Sequence, residues 1–265
     1  MEGTYYKERS AVLGRDMEFK VYGHGGVPVL ALPARGGRFY DWENNGMPEA
    51  AAQLLNSGKV QLFCADSVDA ESLLAGDAPL RRRAEMQEKY FLYLTTELAP
   101  RILELSASAA KAEPAEEKTD AKAEKPAPKL WCAGVDTGAY QAVNCRLRRP
   151  ELFAGAIGLS GLYDLSRFFG DGNDDLVLRN SPIPALHEDG ILDRKNLAKA
   201  DENNILLCAG QGNYEGDALD DTQLLADALK DQNLPAHLEV WGGDVSHDWY
   251  WWGKEFGMFA ERIFG

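Results

Sequence analysis

The segment Trp131–Tyr140 constrains the fold of this chain more than any other part of the sequence. It begins as an apolar run, passes through a short stretch bounded by Gly134 and Gly138, and continues into residues that suit a helix. This order predicts a nucleophile elbow, a sharp strand-to-helix turn that raises one side chain at the carboxyl edge of a sheet. The flanking glycines fit that prediction, because the tight turn leaves no room for a Cβ atom beside the backbone. The central residue of the turn is Asp136, at the position where such an elbow usually carries a nucleophilic serine.

Predicted strands and helices alternate along the chain, which favours an α/β fold with a largely parallel sheet and helices on both faces. The apolar runs that predict the parallel strands are Val27–Leu32, Val60–Ala65, Leu130–Val135, Ala154–Leu159, Ile205–Ala209 and His237–Trp241. Nearer the amino terminus, the pattern predicts strands at Ala11–Leu13 and Met17–Tyr22, with a hairpin turn at residues 24–26. The chain has 265 residues, of which 45% are hydrophobic, so residues 1–265 are expected to form a single domain around one core.

One segment departs from the composition of the rest. Residues 106–129 consist of Ala, Lys, Glu, Pro, Ser, Thr and Asp, without aromatic or branched aliphatic side chains. Such a segment cannot offset its ordering entropy by burial, so it is expected to be a solvated, mobile, low-complexity insertion within the domain. A charged recognition tail is the alternative interpretation. The insertion follows a long helix predicted over residues 81–105, in which Pro100 is expected to cause a kink.

Charge, hydropathy and cysteine spacing argue against several kinds of partner. The formal net charge of -14 disfavours a nucleic acid or an anionic membrane surface. No apolar run is long enough to predict a membrane span, and the first residues lack the apolar core of a secretory signal, so a cytoplasmic protein is expected. The four cysteines are scattered, without the spacing of metal ligands or of a disulfide framework, so no metal is expected. The sequence does not distinguish a monomer from a homo-oligomer.

Two later loops carry side chains that would complement an elbow. Glu215 and Asp217 follow the predicted strand Ile205–Ala209, and His247 follows the last predicted strand. In folds with a nucleophile elbow, the catalytic acid comes from a loop after a late strand and the histidine from a loop after the last strand. The chain order is the same here, so Asp136, one of the two acidic residues and His247 are expected to meet at the carboxyl edge of the sheet.

Several motifs of the chain match one known family. They lie at Gly134–Tyr140, Arg149–Ile157, Leu159–Asp164, Gly210–Glu215 and His247–Trp249. On these motifs the chain resembles the esterase family of α/β-hydrolases that contains esterase D and enterochelin-esterase-like proteins. The similarity extends over nearly the whole chain except residues 106–129. It implies an α/β-hydrolase fold, a small-molecule ester as substrate, and no metal or organic cofactor.

The resemblance also implies roles for individual residues. His247 would be the general base, and Glu215 would fix the tautomer of its imidazole. The oxyanion hole would use backbone N–H groups, because these are in place before charge develops on the substrate. Its donors would be Thr137, which follows the elbow residue, and either Gly36 or Gly37, in the loop after an early strand. The two glycines are equally consistent with a simple tight turn.

An aspartate at the elbow leaves three functional hypotheses open. In the first, esterase activity is weak or lost, because a carboxylate that attacks an ester forms a high-energy mixed anhydride and also occupies the oxyanion donors. In the second, Asp136 attacks an alkyl carbon, as in haloalkane dehalogenases and epoxide hydrolases, and His247 then activates water against the resulting ester. In the third, the cleft binds a ligand or a partner without catalysis.

Overall fold

In the computed structural model, the described residues are 1–112, 128–170, 174–187, 191–193, 197, 204–234 and 236–265, and their strands form one eight-stranded sheet. The strands are β1 (Thr4–Ser10), β2 (Arg15–Tyr22), β3 (Val27–Leu32), β4 (Val60–Ala65), β5 (Leu130–Val135), β6 (Phe153–Leu159), β7 (Ile205–Ala209) and β8 (His237–Val240). They lie in the order β1-β2-β4-β3-β5-β6-β7-β8. Neighbouring strands from β4 to β8 are parallel, whereas β2 is antiparallel to both β1 and β4. The predicted, largely parallel sheet is therefore confirmed.

Helices cover both faces of this sheet. The α-helices are α1 (Asp41–Asn44), α2 (Met47–Ala50), α3 (Ala52–Asn56), α4 (Leu80–Leu92), α5 (Ala99–Ala112), α6 (Thr137–Arg148), α7 (Ser166–Phe169), α8 (Asp175–Asn180), α9 (Pro182–His187), α10 (Gly216–Asp231) and α11 (Trp249–Phe264). A 3-10 turn lies at Asp69–Glu71, and a π-helical segment at Tyr93–Leu98 joins α4 to α5. Among the helices of the described residues, none is both long enough and apolar enough to cross a membrane.

The central strands are buried on both faces, as β3 illustrates. Val29 and Ala31 belong to the core between the sheet and helices α1, α2, α3 and α11. Leu30 and Leu32 point the other way and belong to the core beneath α4, α5 and α6. Because successive side chains of a strand alternate between faces, a strand that is covered on both sides must be apolar throughout. This explains why the central strands appear in the sequence as continuous apolar runs.

The amino-terminal prediction is wrong in two respects. Residues 11–14 form the turn between β1 and β2, and the strand predicted at Ala11–Leu13 is instead β1, which ends at Ser10. The segment at residues 24–26 is not a hairpin turn, because β2 pairs with β4 and not with β3. Gly26 has φ +85 there, and a Cβ atom on it would collide with the backbone of Lys59 just before β4. The glycine therefore serves a crossover that packs closely on the start of β4.

The long helix predicted over residues 81–105 is present but is interrupted. Its middle is the π-helical segment that ends directly before α5, whose second residue is Pro100. Because proline has no N–H to donate to the preceding turn, a local change of helical hydrogen bonding is expected at this place. Helix α5 continues through Ala112, past the predicted start of the insertion at residue 106. Residues 113–127 of the predicted insertion lie outside the described residues.

Candidate active site

Asp136 lies on a strained turn between β5 and α6. Its backbone has φ 51 and ψ -121, values that non-glycine residues rarely adopt and that cost about 1–3 kcal/mol. A Cβ atom on Gly134 would collide with the carbonyl oxygen of Gly138, and one on Gly138 would collide with that of Pro33. The glycines that flank the turn are thus required by close backbone contacts. The strand, turn and helix follow one another as the segment Trp131–Tyr140 predicts.

The structure brings Asp136, His247 and Glu215 together at the carboxyl edge of the sheet. His247 Nε2 lies 3.8 Å from Asp136 Oδ1, and His247 Nδ1 lies 3.6 Å from Glu215 Oε2. These separations exceed a hydrogen bond but allow strong attraction between charges. Asp217, the alternative acid, has its side chain 81% exposed and pairs instead with Arg167 at 3.1 Å. Glu215 is therefore the acidic residue that faces the imidazole.

Ser160 holds the carboxylate of Glu215. Its Oγ atom donates a 2.7 Å hydrogen bond to Glu215 Oε1 and accepts one of 3.0 Å from the indole N–H of Trp252. Trp252 also packs edge-on against the imidazole of His247, with ring centroids 4.9 Å apart. The sequence analysis assigns Ser160 no role at the site, and its contact with Glu215 is a finding of the structure. The feature that could have indicated this contact is the place of Ser160 directly after β6, because β6 lies between β5 and β7 in the sheet.

Arg35 is a site residue that sequence reasoning did not single out. Its backbone N–H donates to Asp136 Oδ2 at 3.1 Å, and its guanidinium donates to Asp136 Oδ1 at 3.2 Å. The same guanidinium lies over the ring of Phe168, 5.1 Å from the centroid. Arg35 belongs to the loop after β3, and β3 is paired with β5, so the loop begins beside the elbow. The pairing of β3 with β5 places the Arg35 side chain at the elbow, and the sequence does not show which strands are paired.

Of the residues predicted to supply the oxyanion hole, Gly36 and Gly37 direct their amides at acceptors other than the elbow residue. The N–H of Gly36 donates to Asp69 Oδ2 at 3.0 Å, and the N–H of Gly37 donates to the carbonyl of Ala34 at 2.8 Å. Neither amide is directed at Asp136, and the loop amide that faces the elbow is that of Arg35. Thr137 follows Asp136 as the first residue of α6, the position expected of an oxyanion donor, and its hydroxyl donates to Asp69.

Charge is concentrated around the imidazole. Burial opposes a charge on His247, but Asp136 and Glu215 outweigh that effect and raise the pKa of His247 to about 9. Burial likewise tends to raise the pKa of Asp136, yet His247 and Arg35 together hold it below its ordinary value. At neutral pH the centre of the site is therefore an imidazolium between two carboxylates.

A cleft of about 410 Å³ opens onto this centre. Its lining comprises Arg35, Asp136, Leu162, Tyr214, Asp217, Ala218 and His247. Tyr214 has φ 63 and is 91% exposed at the rim. A volume of this order is sufficient for a small molecule. Within the described part of the chain, no group of three or more His, Cys, Asp or Glu side chains is arranged to hold a metal ion.

Comparison with known proteins identifies the architecture. No family model matches the chain, and a search of curated proteins finds no match. Among solved structures, a ferulic acid esterase is 16% identical over 99% of both chains, with a TM-score of 0.70. An S-formylglutathione hydrolase from Agrobacterium tumefaciens is 15% identical over 98% of this chain and 93% of its own, with a TM-score of 0.67. MPT51 of Mycobacterium tuberculosis is 14% identical over 100% of this chain and 98% of its own, with a TM-score of 0.69. The chain therefore has the α/β-hydrolase fold, in an arrangement shared with esterases, as the motif resemblance predicts.

Proposed function

We propose that this chain is an esterase-like α/β-hydrolase in which Asp136 replaces the nucleophilic serine, so that hydrolysis of small-molecule esters is weak or lost. The supporting observation is the contact between the Asp136 carboxylate and the N–H of Arg35. In a serine esterase, a loop amide at this place would stabilise the oxyanion of the substrate. Here the elbow carboxylate itself accepts that hydrogen bond.

The chemistry of the carboxylate supports the same conclusion. Attack of Asp136 on an ester carbonyl would form a mixed anhydride, which lies higher in free energy than the ester. Because the pKa of Asp136 is held below its ordinary value, its carboxylate is also a weak nucleophile and would be expelled readily from the tetrahedral intermediate. In a serine protease, loss of the nucleophilic serine lowers kcat by about a factor of 10⁶. A comparable loss is expected here.

The protonation state of His247 adds a second obstacle. A general base must be neutral to accept a proton. Because the pKa of His247 is about 9, only about one molecule in a hundred has a neutral imidazole at pH 7. The carboxylate at the elbow thus removes the nucleophile and also suppresses the base.

The test places a serine at position 136. The Asp136→Ser variant is expected to hydrolyse p-nitrophenyl acetate at least about a thousandfold faster than the unchanged protein, whose rate stays near that of buffer. Two controls are matched to it. Asp136→Ala removes the carboxylate without supplying a nucleophile, and adding His247→Ala to Asp136→Ser removes the base. Both are expected to remain near background. If the unchanged protein hydrolyses the ester as fast as Asp136→Ser, the proposal is wrong.

A second candidate function is favoured by the orientation of the two carboxylate oxygens. Oδ2 of Asp136 contacts the backbone amide of Arg35, while Oδ1 lies 3.8 Å from His247 Nε2 and accepts a hydrogen bond from the Arg35 guanidinium. Oδ1 could attack an alkyl carbon and displace a halide or open an epoxide, which leaves an alkyl ester on Asp136. Water would then attack Cγ of this ester while His247 takes a proton from the water, and collapse of the tetrahedral intermediate would release the alkoxide, which takes that proton from His247 and leaves as the alcohol. Alkylation removes the negative charge of Asp136, so it lowers the pKa of His247 and creates the base that the second step needs.

Isotope labelling distinguishes this candidate from the first. Styrene oxide and 1-bromobutane are incubated with excess protein in heavy-oxygen water, and the peptide that contains Asp136 is analysed by mass spectrometry. Attack by Asp136 predicts incorporation of one heavy oxygen into that carboxylate after a single turnover. Product formation with an unlabelled peptide would rule out attack by Asp136. Retention of an ester or alkyl ligand with no product at any time would instead indicate that the cleft only binds.

A further inference from the structure

Asp69 is a buried carboxylate that the proposed chemistry does not use. It follows β4 and is only 4% exposed. Its Oδ2 atom accepts two hydrogen bonds, one of 3.0 Å from the N–H of Gly36 and one of 3.1 Å from the hydroxyl of Thr137. Gly36 belongs to the loop after β3, and Thr137 is the first residue after the elbow. One carboxylate oxygen therefore joins the two segments between which a substrate oxyanion would lie.

The loop after β4 holds the loop after β3 at neighbouring points as well. The hydroxyl of Ser67 donates to the carbonyl of Gly37 at 2.8 Å. Asp66 Oδ1 accepts the N–H of Phe39 at 2.9 Å. Together with Asp69, these residues bind the β3 loop at three points directly after Arg35. Such side-chain contacts preorganise a loop, because its backbone groups are fixed before a ligand arrives.

The contact with Asp69 determines which amide of the loop is directed at the elbow. The Gly36 N–H points to Asp69, whereas the preceding amide, that of Arg35, points to Asp136 at 3.1 Å. If the Gly36 amide were released, the loop could turn either amide toward residue 136. Two adjacent N–H groups with different buried acceptors leave the loop a single orientation.

We infer that Asp69 is a positioning residue, which locks the β3 loop onto the elbow and selects the Arg35 amide as the backbone donor that faces residue 136. The inference rests on the candidate site of the proposed function, but not on whether Asp136 is catalytically active. In this chain the selected donor is taken by the Asp136 carboxylate, and a serine at position 136 would leave it open to a ligand in the cleft. The Asp69 side chain itself does not line the cleft.

The ionised form of Asp69 is the better acceptor, and its surroundings make it titrate near neutrality. Burial raises the pKa of Asp69 to about 6. The hydrogen bonds from Gly36 and Thr137 and the charge of Arg35 oppose this rise, whereas the charge of Asp136 adds to it. The phenol groups of Tyr90 and Tyr140 also face it from α4 and α6. The lock is therefore expected to be strongest above pH 6 and to weaken as Asp69 takes up a proton.

Amide NMR tests the inference directly. In ¹⁵N-labelled protein, the N–H resonance of Gly36 is expected to shift with a midpoint near pH 6, and the Arg35 resonance is expected to follow it. Asp69→Asn keeps an acceptor but cannot ionise, so both shifts should disappear while the fold is retained. Asp66→Asn is the matched control, because it changes a carboxylate of the same loop that binds Phe39. It should leave the titration of Gly36 in place. A Gly36 resonance that titrates unchanged in Asp69→Asn, or Gly36 and Arg35 chemical shifts that are the same in Asp69→Asn and in the unchanged protein, overturns the inference.

A kinetic test uses the Asp136→Ser background. Adding Asp69→Ala is expected to lower kcat for p-nitrophenyl acetate about tenfold or more with little change in KM, because the donor acts mainly on the transition state. Asp69→Asn should restore part of the loss. An unchanged kcat in the Asp69→Ala double variant also contradicts the inference. If Asp136→Ser is inactive, the proposed function fails, and the amide titration still decides the role of Asp69.

Discussion

Glu255 allows a quantitative test of how burial affects the charges behind the site. It lies on α11 and is fully buried, with the thiol of Cys208 beside its carboxyl group. Burial raises its pKa from 4.5 to about 8. A carboxyl group whose folded-state pKa is raised binds a proton more tightly in the folded state, so it lowers stability progressively as the pH rises from 4.5 to 8. Glu255→Gln removes this titration.

The expected gain follows from the shift. At about 1.4 kcal/mol per pKa unit, the proton linkage of Glu255 costs about 1 kcal/mol at pH 5 and about 4 kcal/mol at pH 8. The buried amide of glutamine has a desolvation penalty of its own, but that penalty does not vary with pH. Glu255→Gln should therefore gain about 3 kcal/mol more, relative to the unchanged protein, at pH 8 than at pH 5.

Urea unfolding followed by tryptophan fluorescence measures this difference at the two pH values. Glu261→Gln is the matched control, because it makes the same substitution at an exposed position of the same helix. Its effect should be small and equal at both pH values. A free energy of unfolding that changes equally at pH 5 and pH 8 in Glu255→Gln would refute the reasoning.

Two further predictions concern residues that line the cleft. Tyr214 has φ 63 and is 91% exposed. Because asparagine tolerates this backbone conformation better, Tyr214→Asn should raise the free energy of unfolding by up to about 1 kcal/mol. A loss of stability in thermal unfolding would contradict this and show that the ring packs on the protein. The pKa of His247 is raised to about 9, so its stabilising effect is complete below pH 6.5 and is lost as the pH rises through 9. An NMR titration of its imidazole should show this midpoint, and Asp136→Asn should lower it by about one unit or more, whereas an unchanged midpoint would contradict the charge pairing.

Much of the fold could be predicted because its signals are local. Strands β3, β4, β5 and β7 begin and end where their apolar runs do. The elbow was recognisable because the close contacts at Gly134 and Gly138 tolerate only glycine. The order of Asp136, Glu215 and His247 along the chain was informative because parallel strands bring their following loops to one edge of the sheet.

The parts that could not be predicted depend on contacts between segments far apart in the chain. The pairing of β2 with β4 was missed because strand order is decided by the whole sheet, and the glycines at residues 25–26 resemble those of a hairpin. Arg35 and Asp69 reach the site only because their two loops meet in the folded chain. Neither has a periodic pattern or a characteristic spacing that would reveal its partner. The hydrogen bond of Ser160 to Glu215 likewise depends on a loop that follows a different strand, so the sequence does not reveal it.

Asp136 and His247 determine each other's charge, so the identity of the elbow residue controls more than the nucleophile. The carboxylate is stabilised by Arg35 and by the imidazolium, and the imidazolium in turn by Asp136 and Glu215. A serine at this position would leave His247 with one carboxylate neighbour, which lowers its pKa toward the range of a general base. It would also release the Arg35 amide for a substrate oxygen. Asp136→Asn separates these effects, since it removes the charge without adding a nucleophile. Ester hydrolysis should therefore be observed in Asp136→Ser and not in Asp136→Asn, although both substitutions lower the pKa of His247.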